Sequence, residues 1–491
     1  MTTEWAYYSA KQLLQEMAGG KLSSRALLDY YIKRIEHLNP QLNAVVATDY
    51  SAARARADAA DKARAEGKSW GVLHGLPMTV KDTYEVVGMP CVAGAPALKD
   101  HLPKKNAVAV SHLEAAGAII FGKTNVPLFA SDLQSYNKVY GTTNNPWNTQ
   151  CTPGGSSGGA AAALAAGFTS IELGSDIGGS IRTPAHFCGV FGHKTTHGIV
   201  SLRGHIPGPP GVVSETDLAV AGPMARSADD LQLLLDVVGG PSPLMQPGWH
   251  LKLPAPKPRK LQDFRVLFWF DDPLCPIASD MRAVYDELKL KLQDQGVTVT
   301  TGSPLNMNLE TFYPTYLNLL GGVLGASHKK LERTAMGFAA PILQKLAARF
   351  ELPKLFENYL IGASQSHVDW LRFNERRNRL REKFQRVFEE YDVVLCPNNM
   401  TTSFRHQQQQ EIFMRKIPVD GKPRNYTDMF MWIAPATVLG LPATSAPVGI
   451  TKDGLPVNVQ IIGGAYQDKT TIRFAKCLEK AGFVFHSPPN Y

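Results

Sequence analysis

The chain contains 491 residues, of which 44% are apolar and 19% are charged, together with 42 glycines and 34 prolines. This composition is that of a globular protein and excludes a disordered, fibrous or collagen-like chain. The net charge of +8 permits attraction to polyanions, but the basic residues are dispersed rather than collected in the patch that is typical of nucleic-acid binding.

The cysteines and the N-terminal residues bear on the cellular compartment in which the protein is expected. Six scattered cysteines form no C-x-x-C pair and are too sparse for a disulfide-stapled secreted domain. The first residues lack the basic and apolar regions of a signal peptide, and no run approaches the length of a membrane-spanning helix. We therefore expect a soluble, cytoplasmic protein with no membrane partner.

The N-terminal half alternates helical and strand patterns. Ser9 and Gln12 have the spacing of a capping box, helical periodicity continues to Leu38, and an Ala- and Arg-rich helix is predicted at 51–66. Further along, strands are predicted at 76–80, 118–121, 168–173 and 190–191, and helices at 108–116 and 160–166. This alternation predicts an α/β protein whose sheet is covered by helices on both faces.

The C-terminal half begins after a Pro/Gly-rich connector at 239–260. Strands are predicted at 264–270 and 297–300 around a helix at 279–295, and 309–391 is mostly helical in pattern and expected to cover the site. Residues 392–491 return to strand character, at 392–396, 444–448 and 457–462, and are expected to complete the sheet begun in the N-terminal half, 1–238.

Two generic motif strings are rejected on their context. Residues 117–124 match the Walker A string, but 118–121 is itself a buried-strand pattern, whereas a phosphate loop must follow its strand. Residues 154–158 match the nucleophile-elbow string G-x-S-x-G, but a polar, proline-broken loop precedes them instead of a core strand. Five histidines remain conceivable bases without any feature that marks them, namely His74, His186, His193, His197 and His205.

Three segments together predict a serine hydrolase whose base is a lysine. Two glycine-rich turns carry serines, G-G-S-S-G-G at 154–159 and D-I-G-G-S-I-R at 176–182, and T-V-K-D occupies 79–82. Acyl transfer needs a hydroxyl nucleophile, a nearby base and backbone N–H groups for the oxyanion, and these segments can supply all of them. Lys81 follows an apolar strand pattern, where burial would lower its pKa and leave a neutral amine.

These motifs resemble those of the amidase signature family of serine hydrolases, over about 6–237 and 393–482. The resemblance implies one amidase-type domain over 1–491, with a mixed central β-sheet and a mostly helical variable region. It makes Ser180 the nucleophile, Ser156 the bridging serine and Lys81 the terminal base. It also implies a cis peptide bond at the bridging serine.

The resemblance extends to supporting residues. It places the oxyanion hole at the backbone N–H groups of Ile177, Gly178, Gly179 and Ser180, and it gives supporting roles to Ser157, Asp176 and Arg182. Aromatic and apolar residues are candidates for the substrate pocket, foremost Phe129, Tyr316, Met429 and Trp432. The sequence calls for no metal, since it contains no H-E-x-x-H and no Cys/His cluster, and for no cofactor.

The implied function is hydrolysis of small aryl or acyl amides through an acyl-enzyme, with esters and carbamates (a urethanase activity) as related substrates. Small molecules are then the expected partners, nucleic acid is not, and a homodimer is left open. The alternative is the glutaminase subunit of a tRNA-dependent amidotransferase, which the positive net charge mildly favours. Departures from the family pattern at 129–135 and 194–197 concern substrate choice and leave the triad intact.

Overall fold

A computed structural model describes residues 5–206, 210–346, 353 and 355–491 of the chain. The parts of the predicted domain and of the predicted helical region that fall at 1–4, 207–209, 347–352 and 354 lie outside the described residues. The α-helices are α1 (Ala10–Ala18), α2 (Ser24–Leu42), α3 (Tyr50–Ala65), α4 (Val108–Ala115), α5 (Gly158–Ala165), α6 (Arg182–Cys188), α7 (Ala228–Val238), α8 (Ser279–Asp294), α9 (Leu309–Gly325), α10 (Lys330–Leu346), α11 (Glu357–Ser364), α12 (His367–Gln385), α13 (Val387–Glu390), α14 (Ala434–Val438) and α15 (Asp468–Lys480).

The strands form one large sheet and three small ones. The strands are β1 (Val45–Thr48), β2 (Pro77–Lys81), β3 (Ile119–Thr124), β4 (Tyr136–Asn137), β5 (Gly141–Thr142), β6 (Ile171–Asp176), β7 (Phe191–Lys194), β8 (Val220–Ala225), β9 (Arg265–Phe268), β10 (Thr298–Thr301), β11 (Val393–Pro397), β12 (Lys416–Val419), β13 (Lys422–Asn425), β14 (Ala443–Ile450) and β15 (Pro456–Ile462).

The eight-stranded sheet has the order β10-β9-β11-β15-β14-β7-β8-β6. Strands β10, β9 and β11 are parallel, and every pairing from β11 through to β6 is antiparallel, so the sheet is mixed. Helices flank it: α6 and α8 contact β14 and β15, and α7 and α15 pack against β7, β8, β14 and β15. The α/β class and the mixed, helix-covered sheet predicted from the sequence are confirmed.

The position of β2 beside β6 brings the two halves of the site together. Strand β2 belongs to a separate three-stranded sheet of order β1-β3-β2, in which it runs parallel to β3, yet it contacts β6 at the edge of the large sheet. Lys81 is the last residue of β2 and Asp176 the last residue of β6. Every residue of both strands is buried, including those at their ends.

Local sequence signals account for many element boundaries. The capping box at the start of α1 forms as predicted, since Ser9 Oγ accepts from the Gln12 backbone N–H and Gln12 Oε1 accepts from the Ser9 N–H. Helix α2 begins after Ser23, whose hydroxyl accepts from Ala26 N, and it ends at Asn43 in the left-handed conformation. The connector at 239–260 contains no helix or strand.

Helices α9 to α12 lie within the region that was expected to cover the site, and α9 packs against both α11 and α14. Its buried face carries Phe312, Tyr316 and Leu319 into the core. No helix of the described residues is both long and apolar enough to cross a membrane.

Candidate active site

The buried amine of Lys81 is the centre of the site. Its Nζ lies 2.7 Å from Ser156 Oγ, 2.9 Å from Ser175 Oγ and 3.3 Å from the Ser175 carbonyl oxygen. Lys81 is delivered by the end of β2, Ser175 by the end of β6, and Ser156 by the glycine-rich turn that precedes α5. The fold therefore brings together three chain segments that are far apart in sequence.

Burial changes the protonation of Lys81. The side chain is fully buried, and removal from water lowers its pKa from 10.5 to about 7, although the carboxylates of Asp176 and Glu172 oppose this shift. Burial also raises the pKa of Glu172 to about 7, despite a hydrogen bond of 2.6 Å from Thr79 Oγ1. A large share of Lys81 is consequently neutral near pH 7, and a neutral amine can accept a proton from the hydroxyl beside it.

The serine turn is held close to its neighbours. The Gly155–Ser156 peptide bond is cis, as the family resemblance implies. A Cβ at Gly155 would lie 2.6 Å from Asp132 O, so only glycine fits there. Ser135 Oγ donates to the Gly154 carbonyl at 3.0 Å and accepts from the Gly158 N–H at 3.0 Å, which fixes both ends of the turn.

Ser180 faces the same cavity as Ser156 and is linked to it through the backbone. The N–H of Ser157 donates to the Ser180 carbonyl at 3.1 Å, and Ser157 Oγ donates to the Ser175 carbonyl at 3.4 Å. Among the contacts of the described residues, no hydrogen bond joins the hydroxyls of Ser156 and Ser180 directly. Hydroxyls that exchange a proton during a reaction often approach only when substrate is bound.

An ion pair braces the turn that carries Ser180. Asp176 and Arg182 are both fully buried, with contacts of 2.9 and 3.0 Å between the guanidinium and the carboxylate. Burial alone would raise the pKa of Asp176, but Arg182 lowers it to about 2. Arg182 also donates to Gln460 Oε1 at 2.6 Å and to Thr437 Oγ1 at 2.7 Å, so the turn is tied to β15 and α14.

The backbone N–H groups of this turn divide into two sets. Gly179 differs from the expectation, because its N–H donates to Asp176 Oδ1 at 2.9 Å and is therefore used within the turn. Within the described residues, the N–H groups of Ile177, Gly178 and Ser180 donate no hydrogen bond. Gly179 has a φ of 90°, a conformation that favours glycine, and its neighbours Ile177, Gly178 and Ser180 line the cavity.

A cavity of ≈630 Å³ opens onto these groups. Its wall includes Ser156, Ser175 and Ser180, and most of the remainder is apolar: Leu98, Phe129, Leu133, Ile177, Ala219, Leu320, Val323, Leu324 and Phe430. No described residue of the wall is lysine or arginine. Its two carboxylates already have partners, since Asp176 pairs with Arg182 and Asp132 accepts from Arg415 and Tyr426 at 2.6 Å each.

Of the four residues predicted to line the substrate pocket, one lines the cavity and three lie outside its wall. Phe129 lines the cavity, whereas Tyr316, Met429 and Trp432 do not line it. Trp432 packs against Trp269 in the core and donates through Nε1 to a backbone carbonyl, and Met429 is buried with it. Tyr316 is fully buried behind the wall, where its hydroxyl donates to the Ile177 carbonyl at 3.2 Å. An apolar residue type cannot by itself distinguish a core position from a pocket position.

The sequence analysis did not identify Ser175 as a site residue, and it did not distinguish His205 from four other histidines. Ser175 contacts Lys81, and the only signal in the sequence was a small polar residue at the end of a strand pattern. Of the five histidines considered as bases, His205 alone is among the described wall residues, where its ring packs on Tyr84 at 4.8 Å. Burial lowers its pKa to about 3, so the ring is neutral. The amine of Lys81, by contrast, contacts two serine hydroxyls directly.

The chain is similar to known proteins in both sequence and structure. The model of the family described as Amidase matches residues 26–472. A curated glutamyl-tRNA(Gln) amidotransferase subunit, from Synechococcus sp. (strain CC9605), is 31% identical, over 97% of this chain and 96% of its own length. An inhibitor-bound protein from a vestigial complex, solved in work on the origins of an s-triazine catabolic enzyme, is 26% identical with a TM-score of 0.79, over 97% of this chain and 99% of that one. A bacterial aryl acylamidase, 21% identical with a TM-score of 0.78 over 97% of each chain, shares the fold.

Proposed function

The chain belongs to the amidase signature family, and on this premise we propose that it hydrolyses a carboxylic amide through an acyl-enzyme formed on Ser180. One observation supports the proposal above all others. A fully buried lysine amine lies 2.7 Å from the Ser156 hydroxyl, in the wall of the cavity that Ser180 also lines. A neutral amine in contact with two serine hydroxyls can accept a proton from either of them.

In the acylation step, neutral Lys81 accepts the proton of Ser156, and Ser156 accepts the proton of Ser180 as the Ser180 oxygen attacks the amide carbonyl carbon. The N–H groups of Ile177, Gly178 and Ser180 donate to the oxyanion as it forms. The tetrahedral intermediate then collapses, the C–N bond breaks, and Ser156 delivers a proton to the leaving nitrogen. Lys81 returns a proton to Ser156.

Deacylation repeats this sequence with water as the nucleophile. A water molecule loses a proton to Ser156 as the water oxygen attacks the acyl carbon, and Ser156 passes its own proton to Lys81. The bond from the acyl carbon to Ser180 Oγ then breaks. Ser180 recovers a proton from Ser156, Lys81 returns its proton to Ser156, and the products are a carboxylic acid and an amine. Esters and carbamates share the reacting carbonyl and are therefore proposed as related substrates.

Covalent labelling and turnover test this mechanism together. A serine-reactive fluorophosphonate should label Ser180, as mapped by mass spectrometry, and Ser180→Ala should abolish both the labelling and the turnover of every substrate that the parent cleaves. Ser111→Ala is the control, because this serine is exposed on α4 and does not line the cavity. Normal turnover by Ser180→Ala would refute the assignment.

The cavity favours an uncharged, apolar amide of the aryl or acyl class. Its wall is largely apolar, and its described residues offer no free cation for a substrate carboxylate and no free carboxylate for a substrate ammonium. Burying an unpaired charge against such a wall would cost several kcal/mol, on the order of 3–5. A panel of anilides, primary amides, fatty amides, linear oligoamides and aryl carbamates tests the preference.

The second candidate is glutamine hydrolysis within a tRNA-dependent amidotransferase complex. The curated relatives are named as subunits of glutamyl-tRNA(Gln) amidotransferase, and they favour this function over the hydrolysis of small aryl amides. Partner subunits and a charged tRNA would then replace the homodimer and the free small molecule among the expected partners. Co-purification of such subunits with the native protein, and glutamine hydrolysis coupled to tRNA, would support it.

A direct comparison of the two substrates separates the candidates. The ratio of kcat/KM for an apolar anilide to that for glutamine should be well above one for an enzyme of the first kind and below one for the second. The glutamine measurement should be made on the isolated chain and on the chain isolated with any bound partners, since the second candidate function predicts that activity depends on them.

A further inference from the structure

A second cavity adjoins the one that contains the serines. It has a volume of ≈310 Å³, against ≈630 Å³ for the first. Five residues contribute to both walls, namely Ser131, Leu320, Leu324, Ser327 and Phe430. Because Leu320 and Leu324 are one turn apart on α9 and Phe430 lies in the turn before α14, these side chains form the boundary between the two spaces. The two cavities therefore share part of their walls.

The second cavity is lined by aromatic side chains. Phe356, Tyr359 and Phe413 lie close together, with ring centroids 4.3 to 6.0 Å apart. Phe413 is 38% exposed although it lies within this cluster, so part of its ring surface is not covered by protein. The hydroxyl of Tyr313, which also lines the cavity, donates its proton to a backbone carbonyl and cannot donate it to a ligand.

The chemistry of this wall selects a ring without charge. No described residue of the second wall is Asp, Glu, Lys or Arg, and its one histidine, His328, has Nδ1 3.3 Å from Glu332 Oε2. Aromatic rings pack against one another in offset or edge-to-face arrangements that are favourable beyond the burial of area. An apolar cavity of about 150 Å³ is large enough to hold benzene, so ≈310 Å³ leaves room for a substituted ring.

We propose that this second cavity is a subsite for an aryl group carried at the far end of an elongated amide substrate, with the scissile amide at Ser180. The inference rests on the proposed amide hydrolysis and specifies its substrate class: an amide joined through an apolar chain to a terminal aromatic ring. Glutamine is too short and too polar to use the subsite. The subsite therefore also separates the two candidate functions.

Binding to an inactive protein tests the subsite without reference to catalysis. Ser180→Ala is titrated by calorimetry with acetanilide and with acetanilide extended by a phenylalkyl chain, on the acyl side or on the amine side. At least one extended amide should bind about tenfold more tightly than acetanilide, since a buried phenyl group supplies that much affinity.

Two substitutions in the Ser180→Ala protein test whether the gain in affinity arises in the second cavity. Phe413→Ala removes a partly exposed ring, and Ile412→Trp fills the cavity, so each should weaken the extended amide about fivefold or more relative to acetanilide. Met414→Ala is the matched control, because Met414 is the next residue, is 64% exposed and lines neither cavity. Two variants are used so that the conclusion does not depend on the folding of one.

Each outcome decides a separate point. If the extended amides bind no more tightly than acetanilide, or if both substitutions act no more strongly than Met414→Ala, the subsite is refuted. If binding follows the expectation but the unmodified enzyme cleaves none of these amides, the subsite stands and the proposed amide hydrolysis fails. If the enzyme cleaves the extended amide and the two substitutions lower kcat/KM for it, both inferences are supported.

Discussion

Replacing Lys81 with methionine should inactivate the enzyme and at the same time stabilise it. Methionine has a similar length and no charge, so it can occupy the same space at the end of β2. The lysine performs its proposed role only because it is held without water, and that burial is unfavourable for folding. A residue that serves function at the expense of stability should reveal both effects when it is removed.

The magnitude follows from the pKa of Lys81. The shift from 10.5 to about 7 corresponds to roughly 5 kcal/mol at pH 7, from 1.36 kcal/mol for each unit. Methionine leaves the hydroxyls of Ser156 and Ser175 without their amine partner, which costs about 1–3 kcal/mol. The variant should therefore be about 2–4 kcal/mol more stable at pH 7, and its kcat should fall at least about 10²–10⁴-fold.

The pH dependence of stability has a definite sign. Between pH 7 and 10.5 the unfolded chain binds the Lys81 proton and the folded chain does not, so the parent gains stability as the pH rises through this window. The variant lacks this gain. Its advantage over the parent should be largest at pH 7 and below and should shrink toward pH 10.

Denaturant unfolding of both proteins at pH 7 and pH 9.5 measures this difference. Lys123→Met is the matched control, because Lys123 is an equally buried lysine but pairs with the buried carboxylate of Asp82 at 3.3 Å. Its removal leaves a carboxylate unpaired and should destabilise the protein by about 3–5 kcal/mol. A Lys81→Met variant that is less stable than the parent at pH 7, or whose advantage grows with pH, would refute the reasoning.

Three further predictions concern the same centre. The kcat/KM for an amide should fall about tenfold per pH unit below about pH 7, as Lys81 takes up a proton, and a pH-independent rate down to pH 5 would contradict the assignment. Ser175→Ala should shift this acid limb about one unit lower, because the hydroxyl that favours the charged amine is lost, and Ser175→Thr should restore it. Arg182→Met should lower the free energy of unfolding by about 3–5 kcal/mol at pH 7, measured in denaturant, since the buried carboxylate of Asp176 then lacks its positive counter-charge; an unchanged midpoint would count against the bracing role.

Local patterns were sufficient for much of the fold. The capping box at Ser9 forms because its two hydrogen bonds lie within four consecutive residues. Continuous apolar runs predicted the strands β2 and β3. The same pattern was the reason for rejecting a phosphate-binding loop at the Walker A string, and Ile119–Thr124 is indeed a strand, whose Lys123 pairs with Asp82.

The sequence predicted the substrate pocket only in part: Phe129 lines the cavity, whereas Tyr316, Met429 and Trp432 do not. Trp432 and Phe430 are two residues apart and both aromatic, yet one packs against Trp269 in the core and the other lines both cavities. Which of them faces the cavity depends on the orientation of the short turn before α14, and that orientation is set by contacts with distant segments. Sequence periodicity carries no information on such a turn.

The sequence by itself determined which residues are proposed to carry the chemistry, because glycine-rich turns and a lysine after an apolar strand pattern can be recognised from a few adjacent positions. Only the tertiary structure decided that β2 of one sheet lies against β6 of another, so that Lys81 meets Ser156 and Ser175. It also decided that Gly179 N–H is used by Asp176, and that a second aromatic cavity adjoins the first. These features arise from contacts between segments distant along the chain, and such contacts leave no local pattern by which they could be recognised.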